Sequence, residues 1–103
     1  MLFIKILLIS LLLVFSNSVL ADPKMDLGLD VYNNKAQCGV CHTLQAAGSK
    51  GQIGPNLDQL KPQIPQIIYT VTNGIGVMPA FDGTLTTEEI EAVAHYIFNS
   101  TNK

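Results

Sequence analysis

The stretch "CGVCH", Cys38 to His42, decides how the rest of this 103-residue chain is read. In an exported chain two cysteines ordinarily suggest one disulfide. Two cysteines separated by two residues and followed at once by histidine instead form the attachment signature of a c-type haem. The spacing has a physical basis. Three residues apart on one helical turn, the sulfurs lie on the same side and can each form a thioether to one vinyl group of a single porphyrin. The imidazole of His42 then points at the iron as its proximal ligand. A thioredoxin-like dithiol would sit in a βαβ pattern, which is absent. Structural zinc needs four ligands, and beyond Cys38, Cys41 and His42 only His95 remains, far along the chain.

The segment before the motif gives the compartment. Met1 to Ala21 has Lys5 near its start, an apolar run from Ile6 to Phe15 broken only by Ser10, polar Ser16-Asn17-Ser18, and Val19-Leu20-Ala21 with small residues where a signal peptidase cleaves. The run falls short of the roughly 20 apolar residues that cross a bilayer. The expected organisation is a cleaved signal peptide over residues 1–21 and one domain over residues 22–103, exported to the periplasm with no membrane span after cleavage. That domain has five lysines, no arginine and eight carboxylates, a side-chain charge of −3. Its lysines are scattered, which argues against nucleic acid as a partner. A domain of this size buries little surface and commonly relies on a cofactor in its core.

His42 leaves one axial position on the iron, for Met78, His95 or nothing. His95 lies in "TTEEIEAVAHYIFN", where Ile90, Val93, Ala94 and Ile97 follow the i, i+3, i+4, i+7 rule of a buried stripe. His95 falls roughly opposite that stripe and is expected to face solvent. Met1 leaves with the signal, and Met25 stands near the mature N-terminus, where chain ends fray. Met78 is different. In "GIGVMPAF", Gly74 and Gly76 let the backbone approach a flat cofactor, and Pro79 fixes the exit from the loop. A thioether needs no deprotonation and is a soft ligand suited to iron. A His/Met pair raises the reduction potential and leaves no vacancy for oxygen or peroxide, which favours electron transfer over catalysis. The expectation is a carrier and not an enzyme.

The remaining pattern is mainly helical. A first helix is expected from about Met25 to Lys35, then a loop over "TLQAAGSKGQIGPNLDQLK" wrapping one haem edge. A second helix from Ile64 to Asn73 places Ile64, Ile67, Ile68 and Val71 on one face, with Pro65 tolerable in its first turn and Asn73-Gly74 as the stop. The last helix starts at a capping box, Thr86 and Glu89, with Glu88 and Glu89 at the positive end of its dipole.

Together "CGVCH", "GPNL" (Gly54 to Leu57), "GVMPAF" (Gly76 to Phe81) and a final helix with "AVAHYI" resemble a class I cytochrome c over essentially the whole mature chain. The resemblance implies an all-α fold of three to five helices around one covalently bound haem c. Cys38 and Cys41 would carry the thioethers, and His42 and Met78 would bind the iron. The Pro55 carbonyl would accept a hydrogen bond from the outer nitrogen of His42. Gly28 and Tyr32 on the first helix would meet Val93 and Tyr96 on the last. The family places its aromatic residue about four positions before the first cysteine, whereas Tyr32 is six before Cys38. This departure implies a small insertion around Asn33-Asn34 or a different contact residue.

The expected function is a periplasmic one-electron carrier, a monomer or weak oligomer, shuttling electrons between a dehydrogenase or cytochrome bc-type complex and a terminal acceptor. Its redox partner proteins would dock transiently at a haem edge ringed by parts of the Gly39-Val40, Gln45 to Gly48 and Gly76 to Pro79 segments, which are almost without charge. The second reading is a dedicated cytochrome subunit of a periplasmic oxidoreductase complex such as a sulfite dehydrogenase.

Overall fold

The computed structural model describes residues 22–103, and the expected signal peptide lies outside the described residues. Helix α1, Pro23–Asp30, begins two residues earlier than expected because Asp22 caps it: its carboxylate accepts the Met25 N–H at 3.1 Å. Pro23 occupies the first turn, where its missing N–H costs nothing. Met25, expected in a fraying end, is therefore half-buried and packs against the core.

The helix then widens into a π-helical turn, Val31–Lys35, closed by the Ala36 N–H donating to the Val31 carbonyl at 2.8 Å. Such a turn holds one more residue than an α-turn. The exposed Asn33 and Asn34 occupy it, so the expected insertion takes the form of this bulge. Tyr32 thereby keeps an inward position and is fully buried.

The segment Thr43 to Lys61, expected to be a loop, carries more structure than that. Strands β1, Thr43–Leu44, and β2, Ser49–Lys50, form an antiparallel ladder pairing Thr43 with Lys50 and Leu44 with Ser49. A short helix α2, Leu57–Leu60, follows, capped by Asn56, whose side chain accepts the Gln59 N–H at 3.3 Å. Two-residue strands and a one-turn helix have no periodicity to read, so they escape sequence patterning.

Helix α3, Ile64–Asn73, has the expected bounds and buries Ile67 and Val71. Helix α4, Thr87–Thr101, opens at the expected capping box: Thr86 Oγ1 accepts the Glu89 N–H at 3.1 Å, and Glu89 Oε1 accepts the Thr86 N–H at 2.9 Å. Its expected stripe of Ile90, Val93, Ala94 and Ile97 is buried, widened by Ala92 and Tyr96.

Helices α1 and α4 cross at Gly28. A Cβ there would lie 2.5 Å from Cβ of Tyr96 and closer still to the Ala92 carbonyl oxygen, so Ala92 joins Tyr96 at the closest approach. Tyr32 and Tyr96 meet at the same crossing, ring centroids 6.0 Å apart and tilted by 55°. The described residues thus form an all-α fold of four helices with one minimal ladder.

Candidate functional site

Cys38, Cys41, His42 and Met78 come from segments far apart in sequence and line one apolar cleft. It has two lobes, of about 290 and 520 Å³, which share Cys38, His42, Pro55, Ile75 and Met78. Cys41 lines the larger lobe only, and among the described residues no charged one lines either.

His42 is held in a defined tautomer. Its Nδ1 lies 2.7 Å from the Pro55 carbonyl oxygen, to which an Nδ1–H donates, leaving the Nε2 lone pair free. The approach is tight. A Cβ at Gly54 would lie 2.5 Å from Cε1 of His42, so only glycine lets this backbone lie against the imidazole. Gly54 is anchored by its own N–H, which donates to the Cys41 carbonyl at 2.7 Å. Every residue of "GPNL" therefore contributes, since Gly54 admits the ring, Pro55 accepts its hydrogen bond, Asn56 caps α2, and Leu57 is buried.

Met78 is delivered by a loop tied down at both ends. Gly74 ends α3 at φ 72, a left-handed conformation, and a Cβ there would lie 2.7 Å from the Met78 carbonyl oxygen. Ile75 and Met78 then bond to each other, N–H to O at 3.1 and 2.9 Å, around a tight turn with Gly76 at φ 56. Beyond Pro79 the chain returns to α3, with the Phe81 N–H donating to the Val71 carbonyl at 2.9 Å.

His95 lines neither lobe. It sits on α4, where it is expected to face solvent, and its side chain is 29% exposed. Its Nε2 is 3.8 Å from an Asp22 oxygen, and the Asn99 amide lies 3.2 Å from its Nδ1. Among the described residues no group of three or more His, Cys, Asp and Glu side chains converges as a metal cage, which leaves the zinc reading without support.

Residues 23–97 match the family model described as "Cytochrome C oxidase, cbb3-type, subunit III". The chain is 34% identical over 87 residues to cytochrome c6 of Tetradesmus obliquus, covering 75% of this chain and 93% of that protein. It is 34% identical over 101 residues to cytochrome c6 of Porphyra purpurea, covering 86% and 88%. The chain belongs to the class I c-type cytochromes. The solved structure of the c-type cytochrome SorU from Sinorhizobium meliloti resembles this cytochrome with a TM-score of 0.71 and 48% identity, over 78% of this chain and 93% of that one.

The cytochrome carries electrons on one covalent c-type haem, and its cleft fits that group. The lobes fall within the size range of cofactor sites and are walled by aliphatic side chains. The donors reaching them are two cysteine sulfurs, one imidazole and one thioether, a set suited to haem attachment and iron. Burial pushes the Cys38 thiol up to about 11.

Two features of the site carry no advance signal in the sequence. The Gln45 to Gly48 segment, expected at the haem edge, lines neither lobe, whereas Ile53 and Ile75 do. Ser49, in the hairpin behind His42, bonds to the His42 carbonyl.

Proposed function

We propose that this cytochrome is exported, loses residues 1–21, and works in the periplasm as a one-electron carrier. In this reading Cys38 and Cys41 hold the haem through thioethers, and His42 and Met78 bind the iron. One observation carries it: His42, with its Nδ1 committed to Pro55, and Met78, on its tied loop, line both lobes of a single cleft. The haem, when bound, supplies a one-electron ferric/ferrous couple.

The chain's own residues supply the rest. Pro55 keeps the His42 proton on Nδ1 and makes the free nitrogen more basic. The paired Ile75–Met78 hydrogen bonds and the return at Phe81 limit movement of Met78, so little reorganisation accompanies a change of charge. The aliphatic walls exclude water.

Met78→Ala tests the ligand assignment. It should keep the covalent haem, lose the methionine-to-iron charge-transfer band and lower the reduction potential. Cys38→Ala and His42→Ala should largely prevent maturation. A Met78→Ala protein with the original spectrum and potential would sink the assignment.

A second reading, a dedicated subunit of a periplasmic oxidoreductase complex, is favoured by one observation. Val40, Ile53, Ile75 and Val77 gather at the larger lobe, a concentration of apolar side chains suited to a lasting contact. Purification of the native protein from its source separates the two. A free carrier elutes alone, and a subunit co-purifies with a larger catalytic chain.

A further inference from the structure

Ser49 lines neither lobe of the cleft, yet its hydroxyl is fully engaged around His42. The Tyr32 hydroxyl lies 2.8 Å away, the Leu44 N–H donates to it at 3.0 Å, and the His42 carbonyl oxygen lies 3.0 Å away. A hydroxyl has one proton and two lone pairs. The proton goes to the His42 carbonyl, since the alternative Leu44 carbonyl is at 3.5 Å. The lone pairs take the Leu44 N–H and the Tyr32 O–H, and both of those residues have zero exposure. Burial pushes the Tyr32 phenol up to about 12, so it remains a donor through the neutral range.

The hairpin is pressed against the haem-attachment segment. A Cβ at Gly39 would lie 2.6 Å from Cβ of Ser49, and a Cβ at Gly51 would lie 2.6 Å from the Val40 carbonyl oxygen. The Gly51 N–H adds a second bond to the His42 carbonyl, at 3.2 Å. His42 is thus held at both ends, its ring by Pro55 and its carbonyl by residues 49 and 51.

We propose that Ser49 is a positioning residue for His42: its hydroxyl, donating to the His42 carbonyl, fixes how the imidazole projects into the cleft. The proposal rests on the reading of His42 as an axial ligand. A loosened main chain would weaken the Nδ1–H bond to Pro55, make the imidazole less basic and favour the reduced protein.

The experiment compares the haem-loaded wild type with Ser49→Ala, Ser49→Thr and Tyr32→Phe. The readouts are the potential, the ferric-state proton resonances of the His42 ring, and solvent exchange of its Nδ1–H. Ser49→Ala should raise the potential, shift the ring resonances and speed the exchange about ten-fold, and Ser49→Thr should restore all three. Tyr32→Phe keeps the bond from Ser49 to His42 and should lower the melting temperature while leaving the ring resonances in place. Ser49→Ala strands the Tyr32 phenol, so the double variant Tyr32→Phe, Ser49→Ala is run beside it. The double variant lacks that penalty and should still show the His42 changes. A lower melting temperature in both variants, with wild-type ring resonances and exchange, would overturn the proposal. Absence of iron-shifted His42 resonances in the wild type would instead overturn the ligand reading on which it rests.

Discussion

Two residues beside the cleft show how much depends on a single Cβ. Gly54 lies against the His42 ring, and an alanine there would place a carbon 2.5 Å from Cε1. Either the imidazole or the Pro55 carbonyl has to move, at about 1–3 kcal/mol of overpacking. Gly54→Ala should therefore destabilise the protein and alter its haem absorption spectrum, and an unchanged spectrum would contradict the contact. Gln37 presents the reverse case. It turns the chain into Cys38 at φ 51 and ψ 47, a left-handed conformation that costs a side-chain-bearing residue about 1–2 kcal/mol. Glycine relieves this strain but forfeits about 0.5–1 kcal/mol of chain entropy. Gln37→Gly should thus stabilise the haem-loaded protein by about 0.5–1 kcal/mol in denaturant titration, with no change in spectrum. The need for Gly54 could be suspected from "GPNL", but nothing in the sequence marks Gln37, because its φ is imposed by the π-turn before it and the attachment turn after it.

Among the elements, those with a full period and a cap were legible. The bounds of α3 and the start of α4 follow from Pro65, Gly74 and the Thr86/Glu89 box. The hairpin and the π-turn were not, since two-residue strands show no alternation and a π-turn depends on where Tyr32 has to sit. The π-turn also places Lys35 over α4, where its Nζ lies 2.6 Å from Glu89 Oε2. That hydrogen bond, with the Thr86 N–H next, pulls the Glu89 carboxyl down to about 2 from its ordinary 4.5. A lowered acid pKa means that the unfolded chain binds the proton more readily. The stability from Glu89 is fully present above pH 4.5 and is lost as pH falls toward 2. Glu89→Gln should lower stability at neutral pH and flatten its decline between pH 4.5 and 2, read from denaturation midpoints at several pH values. Lys35 is about half exposed, so part of the effect should fade in high salt. A variant whose stability fell in parallel with the wild type would place the acid sensitivity elsewhere.

For the whole molecule, "CGVCH" and "MPAF" made the cofactor and its expected ligands legible, but the shape of the cleft mouth was not. Its make-up depends on contacts between segments distant in sequence, which is why Ile53 and Ile75 line it and Gln45 to Gly48 do not. The charge distribution carries a consequence for electron exchange. Six of the eight carboxylates, Asp22, Asp26, Asp30, Glu88, Glu89 and Glu91, lie at α1 or in the first turns of α4, and none lines the cleft. The mouth carries the apolar side chains of Val40, Ile53, Ile75 and Val77. Charges in a contact rim govern how strongly salt changes association rates. If molecules meet at this mouth, the electron self-exchange rate between ferric and ferrous protein should change less than about ten-fold between low and ~0.5 M salt. The small change should be an increase, because screening relieves repulsion between two molecules whose residues 22–103 carry a side-chain charge of −3. Val77→Glu should slow self-exchange most at low salt and recover as salt rises, both read from resonance broadening in mixed-oxidation samples. A Val77→Glu rate equal to that of the wild type at low salt would move the electron-transfer contact away from the mouth.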